Sequence, residues 1–196
     1  MKYLSIDLET TGLDPESSNV IEFAAILDDT AHPEVPHLDL KCFHCYLAPP
    51  EGGYRGSPVA LGMNGAIFKK IGNILKSEGA ASTYSLGCVL SPDRLGKWFK
   101  DWLKEQGFDL KRGITGAGKN FGTFDLQFIK RLPGMPRFHH RVLDPAMFYV
   151  NALDGEIPSL ETCMARAGLI GKIEHRAIDD AIVVIQLIRR AFENTP

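Results

Sequence analysis

No stretch of this chain approaches the ~18 consecutive apolar residues of a membrane-spanning helix, so no membrane partner is expected. The N-terminus has no basic segment leading into an apolar run, which removes a secretory leader from the reading. Cysteine is scarce: Cys42, Cys45, Cys88 and Cys163 are irregularly spaced among 196 residues and form no disulfide framework. Cys42-x-x-Cys45 has no second pair at a zinc-ribbon spacing, and on a strand the two thiols face opposite ways. Reduced thiols and a cytoplasmic location are the expectation. Charge of one sign is lacking too. Lys and Arg number 22 against 24 Asp and Glu, a net charge of -2, so there is no global basic footprint for nucleic acid. A nucleic-acid enzyme stays open, because bound cations offset a clustered acidic site. With no repeats, low-complexity tract or boundary, the chain reads as one domain over 1–196.

What is present has an α/β rhythm. Residues 2–9 alternate, with Leu4, Ile6 and Leu8 on one face and Tyr3, Ser5, Asp7 and Glu9 on the other. After a turn at Gly12, Asp14 and Pro15, strands are predicted over 20–27 and 41–47, close enough together for an antiparallel meander. A Gly/Pro-rich loop, a Gly-interrupted helix over 59–76 and a small-residue segment over 77–90 read together as a flexible insertion of about 49–90. Ser91-Pro92-Asp93 starts a helix, whose stripe of Leu95, Trp98, Phe99, Trp102 and Leu103 reads as core. Short strands over 114–117 and 142–144 then alternate with helices over 123–131, 159–167 and 178–192. Ser159 and Thr162 give the second of these helices a weakened capping box. The order predicts a mixed five-stranded sheet, three antiparallel strands then two parallel, flanked by helices.

Asp7 and Glu9 are the most informative residues. Two positions apart at a strand end, both carboxylates project from one face. Side by side they repel and raise each other's pKa unless a cation lies between them, so the pair points to a divalent metal. Asp125 and Asp180 open predicted helices, where the helix dipole alone would accommodate an acid.

Asp7-x-Glu9 with Thr10-Thr11-Gly12-Leu13, then Asn120 to Phe124-Asp125, then His175-x4-Asp180, resembles the DEDDh family of 3′–5′ exonucleases. The motifs occur in family order, over about 1–28 and 113–192. Phe138-His139-His140-Arg141-Val142-Leu143-Asp144, and Asn120 five residues before Asp125, look closest to oligoribonucleases. Thr10 departs from the Met usual there.

The resemblance implies a ribonuclease H-like fold and hydrolysis of phosphodiesters from the 3′ end of single-stranded DNA or RNA, or of short oligonucleotides. It implies two Mg²⁺ or Mn²⁺ ions, with Asp7 between them, Glu9 and Asp180 on the first and Asp125 on the second. Hard oxygen ligands suit these ions. His175 would take the proton from the attacking water, since its ordinary pKa of ~6.5 suits a base near neutrality. Five residues turn ~140° around a helix, so His175 is expected on the loop before the helix of Asp180. Thr10, Thr11, Gly12 and Leu13 would meet the terminal nucleotide, with Asn120 and Phe124 as further contacts. Phe121 and Phe124 suit either stacking or core packing. Lys130, Arg131, Arg137, Arg141 and Arg176 suit either a phosphate path or a solvated surface. His32, His37, His44, His139 and His140 read as surface or satisfied residues. The family also admits a homodimer. Two other readings remain: a haloacid-dehalogenase-type phosphatase, which starts Asp-x-Asp rather than Asp-x-Glu, and a silent nucleic-acid-binding module on the same fold.

Overall fold

The computed structural model describes residues 1–171, 173 and 175–193. Strands β1 (Lys2–Thr10), β2 (Val20–Asp29) and β3 (Cys42–Leu47) form the antiparallel meander that their spacing predicts. Strands β4 (Cys88–Leu90) and β5 (Gly116–Ala117) add parallel to β3 and β1, giving the order β4-β3-β2-β1-β5. The sheet therefore has the expected five strands and mixed sense. Its members differ in one place. Val142–Asp144 makes a single bridge, Ala117 to Leu143, rather than a strand. Asp144 spends its carboxylate on the amides of Asn120 and Ala146, and Pro145 has no N–H to continue a ladder. The fifth strand, β4, lies instead in the stretch 49–90 expected to be a flexible insertion, which also carries helices α1 (Pro58–Met63) and α2 (Gly65–Ser77). The single helix predicted over 59–76 is broken at Asn64, whose buried amide is anchored to the carbonyls of Thr10 and Ala60.

Further helices are α3 (Pro92–Glu105), α4 (Asp125–Ile129), α5 (Ala146–Tyr149), α6 (Leu160–Ala167) and α7 (Ala177–Glu193). Ser159 caps α6 by accepting from the Thr162 amide at 3.2 Å. Among the described residues no helix is long and apolar enough to cross a membrane. The four cysteines are free thiols.

Strand alternation sorts the core into two layers. Leu4, Ile6 and Leu8 of β1 join Phe23, Phe43, Cys45 and Leu47 against Leu95, Phe99, Trp102 and Leu103 of α3. Four of the five residues of the stripe read as core are buried, and the fifth, Trp98, is half-buried against the same cluster. Phe121 belongs to this layer, fully buried and edge-on to Phe138. Gly116 passes so close beneath it that a Cβ would lie 2.2 Å from the ring, which restricts that position to glycine.

The opposite face of β1 and β2 is covered by α7. Tyr3, Ile26 and Ala117 pack on Ala181, Val184, Ile185 and Ile188, and the Ser5 hydroxyl donates to the Ala181 carbonyl at 2.8 Å. A buried network fixes the far end of α7. Tyr3 and Arg189 both donate to the Asp28 carboxylate, at 2.6 Å each for their shortest contacts. Over β3 and β4 the same face is covered by α2 through Ile67 and Ile71. The start of α7 and the side of α2 thus flank a gap above the sheet, and Asp7 and Glu9 open into it.

Candidate active site

The β1 alternation puts Asp7 and Glu9 on one face, as the sequence predicts, and that face is the one covered by α7. Asp180, in the first turn of α7, comes down onto them. One oxygen from each of Asp7, Glu9 and Asp180 lies within 4.8 Å of the others, a spacing that suits a shared cation. Asp125 enters from the edge on α4. Its carboxylate is buried and accepts from the Leu8 amide, and it is the foremost charge acting on Asp7.

These acids cost free energy in one another's company. Burial first, and then the charges of Asp125, Asp180, Glu9 and Glu22, hold the Asp7 carboxyl well above the usual carboxylate range. Burial, helped by Glu22 and Asp180, pushes Glu9 up to about 7. Burial raises Asp125 to about 7 against the pull of two backbone amides. Asp180 rises to about 6, again mainly by burial, with the His175 charge opposing the rise. The Asp180 Oδ1 atom is buried without a hydrogen-bond partner among the described residues. A cluster that repels itself and leaves a carboxylate oxygen orphaned has the chemistry of a cation site.

His175 stands on the loop ahead of α7, where the sequence predicts it, in an unusual left-handed conformation with φ 50°. It is exposed and lines two adjoining cavities. The first, about 560 Å³, is lined by Glu9, Thr10, Gly12 and Leu13, by Val59, Ala60, Met63 and Asn64 of the α1 region, and by Phe124. Its walls are largely apolar, and Leu13 stands 84 % exposed at its rim.

Of the expected nucleotide contacts, Thr10, Gly12, Leu13 and Phe124 line this cavity. Thr11 does not. It is buried, and its hydroxyl donates to the Arg55 carbonyl while accepting from the Asn19 amide at 2.7 Å, which closes the loop after β1. Asn120 is exposed outside the cavity lining, at φ 59°, with its amide on Asp144. Gly12 has Ser18 so near that a Cβ would sit 2.5 Å from its hydroxyl.

Two groups of residues escape the sequence reading. One is the α1 wall of Val59, Met63 and Asn64, which carries no motif. The other is Glu22 with His44. Glu22 lies directly opposite Glu9 in the β1–β2 register and is fully buried. One of its oxygens meets His44 Nε2 at 2.7 Å, and the other accepts from the Ala177 amide at 3.3 Å, at the start of α7. An acid within the apolar run of 20–27 was the available signal.

No family model matches this chain, and no curated protein matches it by sequence. Solved structures do. The nuclease domain of 3′hExo, a DEDDh family member solved bound to rAMP, superposes with a TM-score of 0.65 at 19% identity, over 98% of this chain and 92% of that one. Cell-death related nuclease 4 gives a TM-score of 0.62 at 17% identity, over 98% and 64%. Exonuclease I from Methylocaldum szegediense gives 0.62 at 18% identity; the match takes in all of this chain but 41% of that enzyme's length. At these identities the likeness speaks for architecture, and the chain has the ribonuclease H-like α/β fold of these exonucleases.

Proposed function

We propose that the protein is a metal-dependent 3′–5′ exonuclease that releases nucleoside 5′-monophosphates from single-stranded nucleic acid or short oligonucleotides. One observation carries the reading: Asp7, Glu9 and Asp180 converge within 4.8 Å, beside a buried Asp125, with His175 close enough to act on Asp180. The orphaned Asp180 Oδ1 and the upward-shifted carboxyls fit a divalent cation. Asp7, Glu9 and Asp180 would hold one Mg²⁺ or Mn²⁺ ion, and Asp7 with Asp125 a second; when bound, such ions would activate water and offset the charge on the leaving 3′ oxygen. His175 accepts the proton of the attacking water on an imidazole nitrogen. Its place on a loop rather than within α7 lets the ring face the cleft. The apolar walls from Leu13, Met63 and Phe124 receive the terminal base, and Thr10 and Gly12 border its sugar. Solved relatives of the same fold hold single-stranded oligonucleotides, as in the E. coli exonuclease I complexes with dA16 and with a dT13 strand.

The test is a time course on 5′-labelled single-stranded RNA and DNA, with Mg²⁺, with Mn²⁺ and with a chelator. The expected outcome is a ladder shortening from the 3′ end, abolished by chelation. Turnover of p-nitrophenyl phosphate with intact oligonucleotides would establish the phosphatase reading instead. Binding without turnover in either metal would leave a silent module.

A further inference from the structure

A second cavity of about 500 Å³ adjoins the first behind His175. The two share Met63, Asn64 and His175, but their walls differ in charge. Among the described residues, no lysine or arginine lines the first cavity. The second is lined by Lys70 of α2 and by Arg176, with Tyr46 beneath them. The sheet register sets its distance from the acids: Glu9 is opposite Glu22 on β2, and Glu22 is opposite Tyr46 on β3. Tyr46 therefore lies two strand spacings, about 10 Å, from Glu9 along the same face. Lys70 Nζ stands 4.9 Å from the centre of the Tyr46 ring, and the Arg176 guanidinium also interacts with Tyr46. Arg176 is held otherwise by an exposed ion pair with Asp179 at 3.6 Å, the kind of pairing that costs little to exchange.

A polyanion brought to four carboxylates needs positive charge close by, beyond what ions at the scissile bond supply. Among the described residues, Lys70 and Arg176 are the lysine and arginine that line these two cavities. We propose that the Tyr46–Lys70–Arg176 cavity is a phosphate subsite, which receives the phosphodiester adjacent to the scissile one while the terminal base occupies the apolar cavity. This rests on the exonuclease reading of the acidic cluster. It assigns the two cavities separate work: the apolar one grips a base, and the basic one fixes the strand's register by its backbone.

Binding of short 5′-labelled single strands is measured by fluorescence anisotropy, with Ca²⁺ replacing Mg²⁺. Wild type is compared with K70A/R176Q, both positions being exposed. Three strands are used: an unmodified one, one with a single uncharged methylphosphonate at the linkage next to the terminal one, and one ending in a 3′-phosphate. The neutral linkage is expected to weaken wild type about tenfold, the scale of one charge-assisted hydrogen bond, and the variant by less than about twofold. The variant's salt dependence should also be shallower, by about 0.7 in log–log slope for each phosphate it no longer neutralises. An equal weakening by the neutral linkage in both proteins would overturn the subsite. So would a coupling of the variant to the 3′-phosphate instead of to the linkage, since the cavity would then lie beyond the terminal sugar. Turnover in Mg²⁺ and in Mn²⁺ by wild type is scored separately: its absence in both removes the exonuclease reading, and its presence with no coupling removes the subsite alone.

Discussion

Asp7 is pressed by burial and by four neighbouring acids, so its negative charge is costly without a cation to share it. Asp7→Asn keeps the side chain's size and removes that charge. Metal-dependent turnover is expected to vanish, while the metal-free variant melts no lower than wild type. A variant that turns over in magnesium contradicts the assignment of Asp7 between the ions. A variant that melts several degrees lower without metal contradicts the account of repulsion. His175 differs in kind. It is exposed on a loop and lines the cavities beside the cluster. His175→Ala is expected to slow turnover by ~10²–10⁴ with Mg²⁺ affinity nearly unchanged, as when a general base is lost. Kinetics beside calorimetric titration of Mg²⁺ separates the two quantities, and wild-type speed removes His175 from the mechanism.

Between elements, the coupling that matters joins β2 to the start of α7. Glu22 meets His44 with one oxygen and the Ala177 amide with the other, so one buried carboxylate sets where Asp180 descends onto Asp7 and Glu9. Glu22→Ala leaves His44 buried beside a gap. Leaving buried hydrogen-bonding groups without their partner costs about 1–3 kcal/mol, to be read from urea unfolding in chelator. Mg²⁺ affinity is expected to fall about 10–100-fold, the usual cost of losing a group that orients ligands. Unchanged affinity would reduce Glu22 to a packing residue. This coupling also marks where sequence reading stops. The two-residue period of β1 displays Asp7 and Glu9 on one face to any reader of the sequence, and the Pro92 start and apolar stripe of α3 are equally plain. Glu22 stands out locally only as an acid in an apolar run; its role is concealed because its partners lie 22 and 155 residues away. Asn64 is concealed likewise: it breaks a helix in order to reach the Thr10 carbonyl, 54 residues off. β4, three residues long, is a strand only because β3 is there to pair with it.

For the molecule as a whole, the acidic cluster makes stability depend jointly on pH and on divalent metal. Glu9 is raised from its ordinary 4.5 to about 7, Asp125 from 3.8 to about 7 and Asp180 from 3.8 to about 6. A carboxyl whose pKa is higher folded than unfolded binds its proton more tightly in the fold. Its contribution to stability is complete below the unfolded value, near 4, and is lost as pH climbs through the folded value. Between about pH 4 and 7, the cluster therefore withdraws stability from the metal-free protein as each acid ionises against the others. Surface acids such as Asp14 and Asp154, whose pKa values are lowered by hydrogen bonds, act oppositely and at lower pH, so they do not mask this window. A divalent ion binds the ionised form and returns what ionisation removed, by an amount that grows with pH. Melting curves with Mg²⁺ and with chelator should nearly coincide at pH 5 and separate by pH 8, with the metal-loaded protein melting higher. In Asp7→Asn the separation at pH 8 should shrink markedly, because both the repulsion and the ligand set are reduced. A gap of the same size at pH 5 and pH 8 would mean that metal stabilises the protein somewhere other than these acids. No gap at pH 8 under saturating Mg²⁺ would mean that the four carboxylates tolerate one another without it.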